Sequence, residues 1–196
     1  MSAGDAAVFP AARTARPAEG RLLTVGISDC RVTDDPERVL VTYALGSCIG
    51  VAIYDPAARV GGLLHFMLPQ SSIDREKARV NPFMFADTGI PGLLQMAEQR
   101  GANRRRLTVW VAGGAQVMDG DGVFNIGKRN YTEMRKIFWK AGLLVHAEAV
   151  GGAVSRTVKL DMATGKFLIR EAGGTDQELG PAPARGGANG ISRTAH

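Results

Sequence analysis

The order of strand-like and helix-like segments is the feature that most restricts the fold of this chain. Runs of β-branched and apolar residues typical of strands dominate the sequence, and only two segments have the spacing of a main helix. Because most strands follow another strand, the order does not fit an alternating βαβ fold. It predicts a single-domain α/β layered sandwich with mostly antiparallel or mixed sheet and two main helices. The predicted strands are 22–28, 38–45, the two arms of 48–68, 106–114, 143–150, 155–162 and 166–170.

The two predicted helices have recognisable ends. The first covers residues 88–101, with Thr88 as its N-cap, Pro91 in its first turn and Gly101 as the stop. The second covers residues 128–142, has apolar residues at three- and four-residue spacing, and ends at Gly142.

Glycine and proline mark the expected limits of the folded domain. We expect a flexible N-terminal arm at 1–20, one domain at 21–170 and a disordered Gly/Pro-rich tail at 171–196. Residues 21–170 still contain 17 of the 25 glycines, about 11% against a usual share of roughly 7%. This excess predicts tight turns, or places where backbone approaches a neighbour closely.

Composition excludes several classes of protein. With 45% hydrophobic and 22% charged residues, the chain has the composition of a soluble globular domain. Its two cysteines, Cys30 and Cys48, cannot build a disulfide framework and form no zinc-binding C-x-x-C pair, so we expect neither a metal nor another cofactor. No apolar run approaches the ~18 residues that span a bilayer, and the first twenty residues lack the apolar core of a secretion signal. We therefore expect a cytoplasmic protein that does not insert into a membrane.

The charge pattern does not indicate nucleic-acid binding. The net charge is +5, and the one dense basic cluster is Arg104-Arg105-Arg106. Three arginines without interleaved aromatic residues are too few for a nucleic-acid surface and are typical of a solvated loop. The positive balance favours acidic partners.

A hairpin over residues 48–68 predicts a cysteine beside a histidine. If its turn is centred between Pro56 and Ala57, Cys48 lies directly opposite His65, and opposed Cβ atoms are about 4.5–5.5 Å apart. An imidazole next to a thiol can take its proton and produce a nucleophile for acyl transfer. Two alternatives stay open: a one-residue slip would separate the side chains onto opposite faces, and a lone strand cysteine is usually a small buried apolar residue.

The residues around Cys48 suit a nucleophile. Gly46 and Gly50 remove bulk on both sides of the sulfur, and the main-chain N–H groups near Ser47 are candidates for an oxyanion hole. Thr42, on the preceding predicted strand, is the hydroxyl that could orient the imidazole.

A glycine-rich region further along the chain allows weaker interpretations. Residues 112–115 and 119–127 could belong to a nucleotide loop, and residues 119–122 could belong to a calcium loop. Neither has the required spacing or ligand set, which argues against both. We interpret Asn125, Gly127, Arg129 and Asn130 as structural residues at the entry to the second helix, with lining of the site as the alternative.

Five collinear motifs resemble the CheD family of chemoreceptor glutamine deamidases. They are VTYALGSCIGV, GGLLHFMLP, AGGAQV, NIGKRN and GGAVSRTV, and the resemblance covers residues 22–170. It implies a compact α/β sandwich and a Cys–His–Thr triad at Cys48, His65 and Thr42. It also implies that Gly113 and Gly114 belong to the glycine-lined rim of the site.

The resemblance implies conversion of selected glutamines on methyl-accepting chemoreceptors to glutamate and ammonia through a thioester. Some family members also hydrolyse receptor methyl esters, and many bind a CheC-family phosphatase. This sequence departs from the family in its two terminal extensions and at Ala153-Val154-Ser155, where the usual polar residue after the glycines is missing. The alternative function is a non-catalytic adaptor that binds chemoreceptors or a CheC-type phosphatase.

Overall fold

A computed structural model describes residues 19–116 and 125–180 of the 196-residue chain. The α-helices of this part are α1 (Arg75–Val80), α2 (Ala86–Gln99) and α3 (Ile126–Ala141). Its strands are β1 (Leu22–Thr24), β2 (Asp29–Thr33), β3 (Val39–Leu45), β4 (Ile49–Asp55), β5 (Val60–Phe66), β6 (Thr108–Gly113), β7 (Ala147–Val150), β8 (Arg156–Asp161), β9 (Lys166–Glu171) and β10 (Gln177–Glu178).

The strands form two five-stranded mixed sheets. The central sheet has the order β2-β5-β4-β6-β7, and the outer sheet has the order β1-β3-β8-β9-β10. Neighbouring strands are antiparallel except in the pairs β1–β3 and β6–β7. The predicted fold class, a layered α/β sandwich with mixed sheet and two main helices, is confirmed.

The central sheet is covered on both faces, which explains why every residue of β4 and β5 is buried. One face packs against α2 and α3 through a helix-side layer that includes Leu64, Ile90, Met134 and Phe138. The other face packs against the outer sheet through an inter-sheet layer that includes Leu40, Leu63, Trp110, Leu160 and Phe167. Since side chains alternate along a strand, adjacent residues of β5 enter different layers.

The predicted hairpin is present, but its register differs by two residues. Gly50, and not Cys48, lies opposite His65, and Ile49 lies opposite Phe66. The turn contains residues 56–59, and Arg59 has a positive φ of 56°. Cys48 precedes β4 and has no partner in the ladder. A shift of two residues keeps each side chain on its face, so the expected common face of Cys48 and His65 is retained.

The buried carboxylate of Asp55 anchors this turn. It accepts hydrogen bonds from the backbone N–H groups of Ala57 and Asn103 and from the guanidinium of Arg106 at 2.7 Å. Burial acts to raise the pKa of Asp55, but these donors together outweigh it and hold the pKa well below its usual range. The basic cluster expected in a solvated loop thus supplies, through Arg106, the ion pair that holds the hairpin turn.

Other differences concern element limits. Helix α2 begins two residues earlier than predicted, with Phe85 at the N-cap position, while Thr88 donates to the Pro82 carbonyl. Gly101 and Gly142 follow their helices with positive φ, as predicted. Strand β2 and helix α1 were not predicted.

The predicted tail starts too early, because β10 within it pairs with β9. Residues 1–18 and 181–196 of the predicted arms lie outside the described residues. Across 19–116 and 125–180, no helix is both long and apolar enough to cross a membrane.

Candidate active site

A hydrogen bond between the two sheets lies at the centre of the candidate site. The Thr42 hydroxyl of β3 and Nδ1 of His65 on β5 are 2.8 Å apart. Thr42 shares the inward face of β3 with Leu40, and His65 shares the inward face of β5 with Leu63. Both side chains are almost fully buried. The structure therefore places two of the three predicted catalytic residues in direct contact.

A bulge in β3 directly follows Thr42. The register with β8 shifts between Thr42 and Leu45, and Ala44 has a left-handed backbone with φ 54°. Bulges of this kind redirect the strand and are frequent beside active sites. After the bulge, residues 46–48, which we call the cysteine loop, lead from the outer sheet into β4 of the central sheet.

Three hydrogen bonds hold the carbonyl groups of the cysteine loop. The N–H groups of Gly114 and Ala115 donate to the carbonyls of Cys48 and Gly46, at 2.7 and 2.8 Å. The carbonyl of Ser47 accepts from the side-chain amide of Asn130, at 3.1 Å. Each carbonyl of the loop is thus fixed from outside the loop. The Cys48 side chain itself is half-buried and packs against the inter-sheet layer.

Several of the predicted rim glycines serve close packing. A Cβ on Gly113, whose φ is +106°, would collide with the Cys48 carbonyl oxygen, and one on Gly127 would collide with the Gly114 carbonyl oxygen. Gly50 leaves room for the side chain of Leu45, since a Cβ there would lie 2.9 Å from Leu45 Cδ1. The Gly114 N–H is already bonded to the Cys48 carbonyl and is not a free donor here. These glycines let backbone segments meet around the cysteine loop.

Burial sets the protonation of the histidine and the cysteine. It lowers the pKa of His65 to about 4, which leaves the imidazole neutral at pH 7. It also raises the pKa of the Cys48 thiol, although the backbone N–H of Cys48 acts in the opposite direction. Nε2 of His65 is buried and has no hydrogen-bond partner among the described residues, including the Cys48 thiol. The arrangement is a neutral base with one ring nitrogen held by a hydroxyl and the other unoccupied.

Comparison with known proteins assigns the family. Residues 67–171, more than half of the chain, match the family model described as CheD chemotactic sensory transduction. The chain belongs to the CheD family.

Close relatives align with this CheD-family chain over most of its length and over nearly all of their own. A probable chemoreceptor glutamine deamidase CheD from Solibacter usitatus is 57% identical over 166 residues, which are 84% of this chain and 98% of the relative. Probable chemoreceptor glutamine deamidase CheD 1 from Syntrophus aciditrophicus is 50% identical, over 79% of this chain and 97% of the relative. Among solved structures, the Bacillus licheniformis hypothetical protein YfiH has 14% identity and a TM-score of 0.41, over 64% of this chain and 51% of that one.

The matched range begins at Met67, after Thr42, Cys48 and His65 in the sequence. It contains the loops around residues 113 and 151, which support the CheD-family site. These loops are bonded to one another. Gly151 N–H donates to the Gly113 carbonyl at 2.9 Å, and the Arg156 guanidinium donates to the Gly151 carbonyl at 2.7 Å. Arg156 is buried and also pairs with Glu171 at 3.1 Å. The motifs around residues 113 and 151 thus form one support that reaches the cysteine loop.

Two features of the CheD-family site lay outside the sequence prediction. Asn130, interpreted as a structural residue at a helix entry with lining of the site as the alternative, contacts the cysteine loop from within α3. Arg156 organises the 151–152 turn. Residues 119–122, considered from the sequence as a calcium-binding loop, lie outside the described residues. In the described part of the chain, no group of three or more His, Cys, Asp or Glu side chains could hold a metal ion.

Proposed function

We propose that this CheD-family protein hydrolyses the side-chain amide of glutamines on chemoreceptors, with Cys48 as nucleophile, His65 as general base and acid, and Thr42 as the residue that orients His65. One observation carries the proposal: the buried Thr42–His65 hydrogen bond leaves Nε2 of a neutral imidazole unoccupied in the layer that Cys48 also contacts. A neutral imidazole oriented through Nδ1 is the arrangement that general-base catalysis requires.

The Thr42 hydroxyl can accept a hydrogen bond from Nδ1–H of His65, and the reaction needs the tautomer that makes this bond. With Nδ1–H donating to the Thr42 oxygen, Nε2 carries the lone pair that can accept the thiol proton. Cys48 and Nε2 of His65 are not hydrogen-bonded to each other in this structure. Catalytic hydrogen bonds are often long in a free protein and shorten when substrate binds.

The reaction then proceeds in two acyl-transfer steps. Nε2 of His65 takes the proton of the Cys48 thiol, and the sulfur bonds to the amide carbon to form a tetrahedral oxyanion. The C–N bond breaks, the leaving nitrogen takes the proton from Nε2, and ammonia departs to leave a thioester. Water loses a proton to Nε2 and attacks the thioester. The C–S bond breaks, the sulfur regains the proton, and the product is glutamate.

Chemoreceptors are the proposed substrates because the relatives at 57% and 50% identity carry that substrate in their names. A net charge of +5 favours acidic surfaces such as receptor helices rich in glutamate. A nucleophile that acts as a free thiol fits the reducing cytoplasm. The adaptor alternative requires docking on receptors or on a CheC-type phosphatase without any need for Cys48.

The decisive experiment combines the protein with a cytoplasmic receptor fragment. Ammonia release and the mass change of Gln-to-Glu conversion are followed for the wild type, Cys48→Ala and Cys30→Ala. We expect Cys48→Ala to lose at least about 1000-fold in rate with receptor binding intact, as for other nucleophile deletions. Cys30→Ala is the matched control and keeps its rate within about twofold, because Cys30 lies in the helix-side layer. Deamidation by Cys48→Ala at the wild-type rate would exclude Cys48 as the nucleophile, whereas receptor binding by the wild type without ammonia release would favour the adaptor.

A further inference from the structure

Asn130 is a buried polar residue that the three-residue mechanism does not use. It lies in the second turn of α3 with 0% of its surface exposed. The N-cap of that helix is Asn125, whose side chain accepts a hydrogen bond from the Lys128 N–H. Capping therefore does not account for Asn130.

The side-chain amide of Asn130 joins the two segments that carry the cysteine and the histidine. Its Nδ2 donates to the carbonyl of Ser47 at 3.1 Å and to the carbonyl of Met67, just beyond β5, at 2.7 Å. Both partners are acceptors, so only the NH2 group can face them, and this fixes the orientation of the amide. Helix α3 is thereby bonded to the chain directly before Cys48 and just after the strand of His65.

The hydrogen bond to Ser47 also determines where the Cys48 N–H points. The Ser47 carbonyl and the Cys48 N–H belong to one planar trans peptide and point in opposite directions. Holding the carbonyl toward α3 directs the N–H away from α3. Since the Gly114 N–H holds the next carbonyl, that of Cys48, the peptide groups on both sides of the Cys48 Cα are fixed.

Within the described part of the chain, the Cys48 N–H is free to act as a donor. Among the described residues it has no hydrogen-bond acceptor in the backbone, whereas the Gly114 and Ala115 N–H groups are bonded to carbonyls of the cysteine loop. It lies close enough to its own sulfur to oppose the rise in the pKa of the thiol. A main-chain N–H beside the attacking sulfur is placed to stabilise a tetrahedral oxyanion.

We propose that Asn130 is a positioning residue for the oxyanion hole: by holding the Ser47 carbonyl, it aims the Cys48 N–H at the oxyanion formed during attack on the amide. This inference rests on the proposed function. The buried Oδ1 of Asn130 has no partner among the described residues, which carries a cost in stability that an apolar residue would avoid.

The test separates oxyanion stabilisation from the reactivity of the thiol. In Asn130→Ala and Asn130→Ser we expect kcat to fall about 10- to 100-fold, less than the full loss of an oxyanion donor, with KM within about threefold. Alkylation of Cys48 by iodoacetamide, followed on the Cys48 peptide by mass, stays within about twofold, because displacement of iodide forms no oxyanion. The serine variant is the milder change if alanine impairs folding, which thermal melting checks.

Asn125→Ala is the matched control, because it removes a side-chain hydrogen bond of the same helix without contact to the cysteine loop. Wild-type kcat in the Asn130 variants would overturn the inference. So would a parallel fall in kcat and alkylation, or an equal loss of kcat in Asn125→Ala, since either would indicate a general structural role. A separate experiment tests the proposed function: if Cys48→Ala, with Asn130 intact, still deamidates the receptor, the proposed function fails.

Discussion

The two cysteines of this chain lie on either side of β5 and differ in layer and accessibility, although burial raises the pKa of both thiols. Cys30 on β2 pairs with Leu64 of β5, one residue before His65. It enters the helix-side layer, where it is 4% exposed, and burial raises its pKa to about 12. Cys48 belongs to the cysteine loop, contacts the inter-sheet layer and is more accessible. Both cysteines are near β5, so distance from that strand does not explain the difference in their accessibility.

The difference between the two thiols arises from strand alternation. Leu64 and His65 point to opposite faces of the central sheet, so Cys30 meets apolar side chains while the imidazole lies in the layer of Cys48. The cysteine loop adds accessibility and a backbone held by three hydrogen bonds. We attribute the proposed reactivity of Cys48 to its layer and its loop, and the contribution of each can be tested.

The largest expected effect comes from removing His65, the base proposed for Cys48, which has no counterpart at Cys30. His65→Gln keeps a neutral polar side chain but cannot accept the thiol proton, so we expect kcat/KM for ammonia release to fall about 1000-fold or more. His146→Gln, which alters a histidine at the start of the β7 segment, is the control and should keep its activity. A His65→Gln enzyme within tenfold of wild type would show that another group acts as base.

The next effect is selective alkylation. At pH 7 we expect iodoacetamide to modify Cys48 at least about 100 times faster than Cys30, because burial suppresses both access and ionisation at Cys30. Peptide mass spectrometry of the native protein distinguishes the two sites. Equal rates would mean that the helix-side layer opens as readily as the cysteine loop.

The pH dependence of the same reaction sharpens the comparison. Burial raises the pKa of Cys48 and holds that of His65 at about 4, so the resting pair at pH 7 is a thiol and a neutral imidazole. The alkylation rate should therefore rise about tenfold for each pH unit until it passes the ordinary cysteine value of ~8.5. A flat rate between about pH 5 and 8 would instead indicate a preformed thiolate–imidazolium pair.

The smallest expected effect is at Thr42. Thr42→Val keeps the shape of the buried side chain but removes the hydrogen bond to Nδ1, and we expect kcat to fall about tenfold with little change in KM. Thr33→Val is the matched control, because the Thr33 hydroxyl accepts a backbone hydrogen bond at the far end of β2. Equal activity of Thr42→Val and wild type would remove Thr42 from the mechanism.

The sequence predicted the architecture well because the relevant signals are local. Alternation and β-branched runs identified most strands, and Gly101 and Gly142 located the helix ends through their left-handed backbone. Strand β2 was missed because its five residues, Asp29–Thr33, include two charged side chains and follow a predicted strand without a clear break. Strand β10 was missed because two residues in a glycine-rich segment carry no periodicity.

The site was predictable only in part. Counting across the hairpin placed Cys48 and His65 on one face, but the register was wrong by two residues. The turn between the paired residues Asp55 and Val60 contains four residues and not two, with Arg59 in a left-handed conformation. The contact between Thr42 and His65 depends on the docking of two sheets, which local pattern does not specify. Similarly, Asn130 reaches Ser47 across 83 positions of sequence, and no local signal marks that contact.

The Thr42–His65 hydrogen bond has a consequence for biosynthesis. Its two partners belong to different sheets, and β3 lies between β1 and β8 in the outer sheet. During synthesis, β4 and β5 leave the ribosome before β8. At that stage β5, which carries His65, can pair with β4, but β3 still lacks its partner β8. The Thr42–His65 contact therefore depends on the docking of the two sheets, which needs most of the chain.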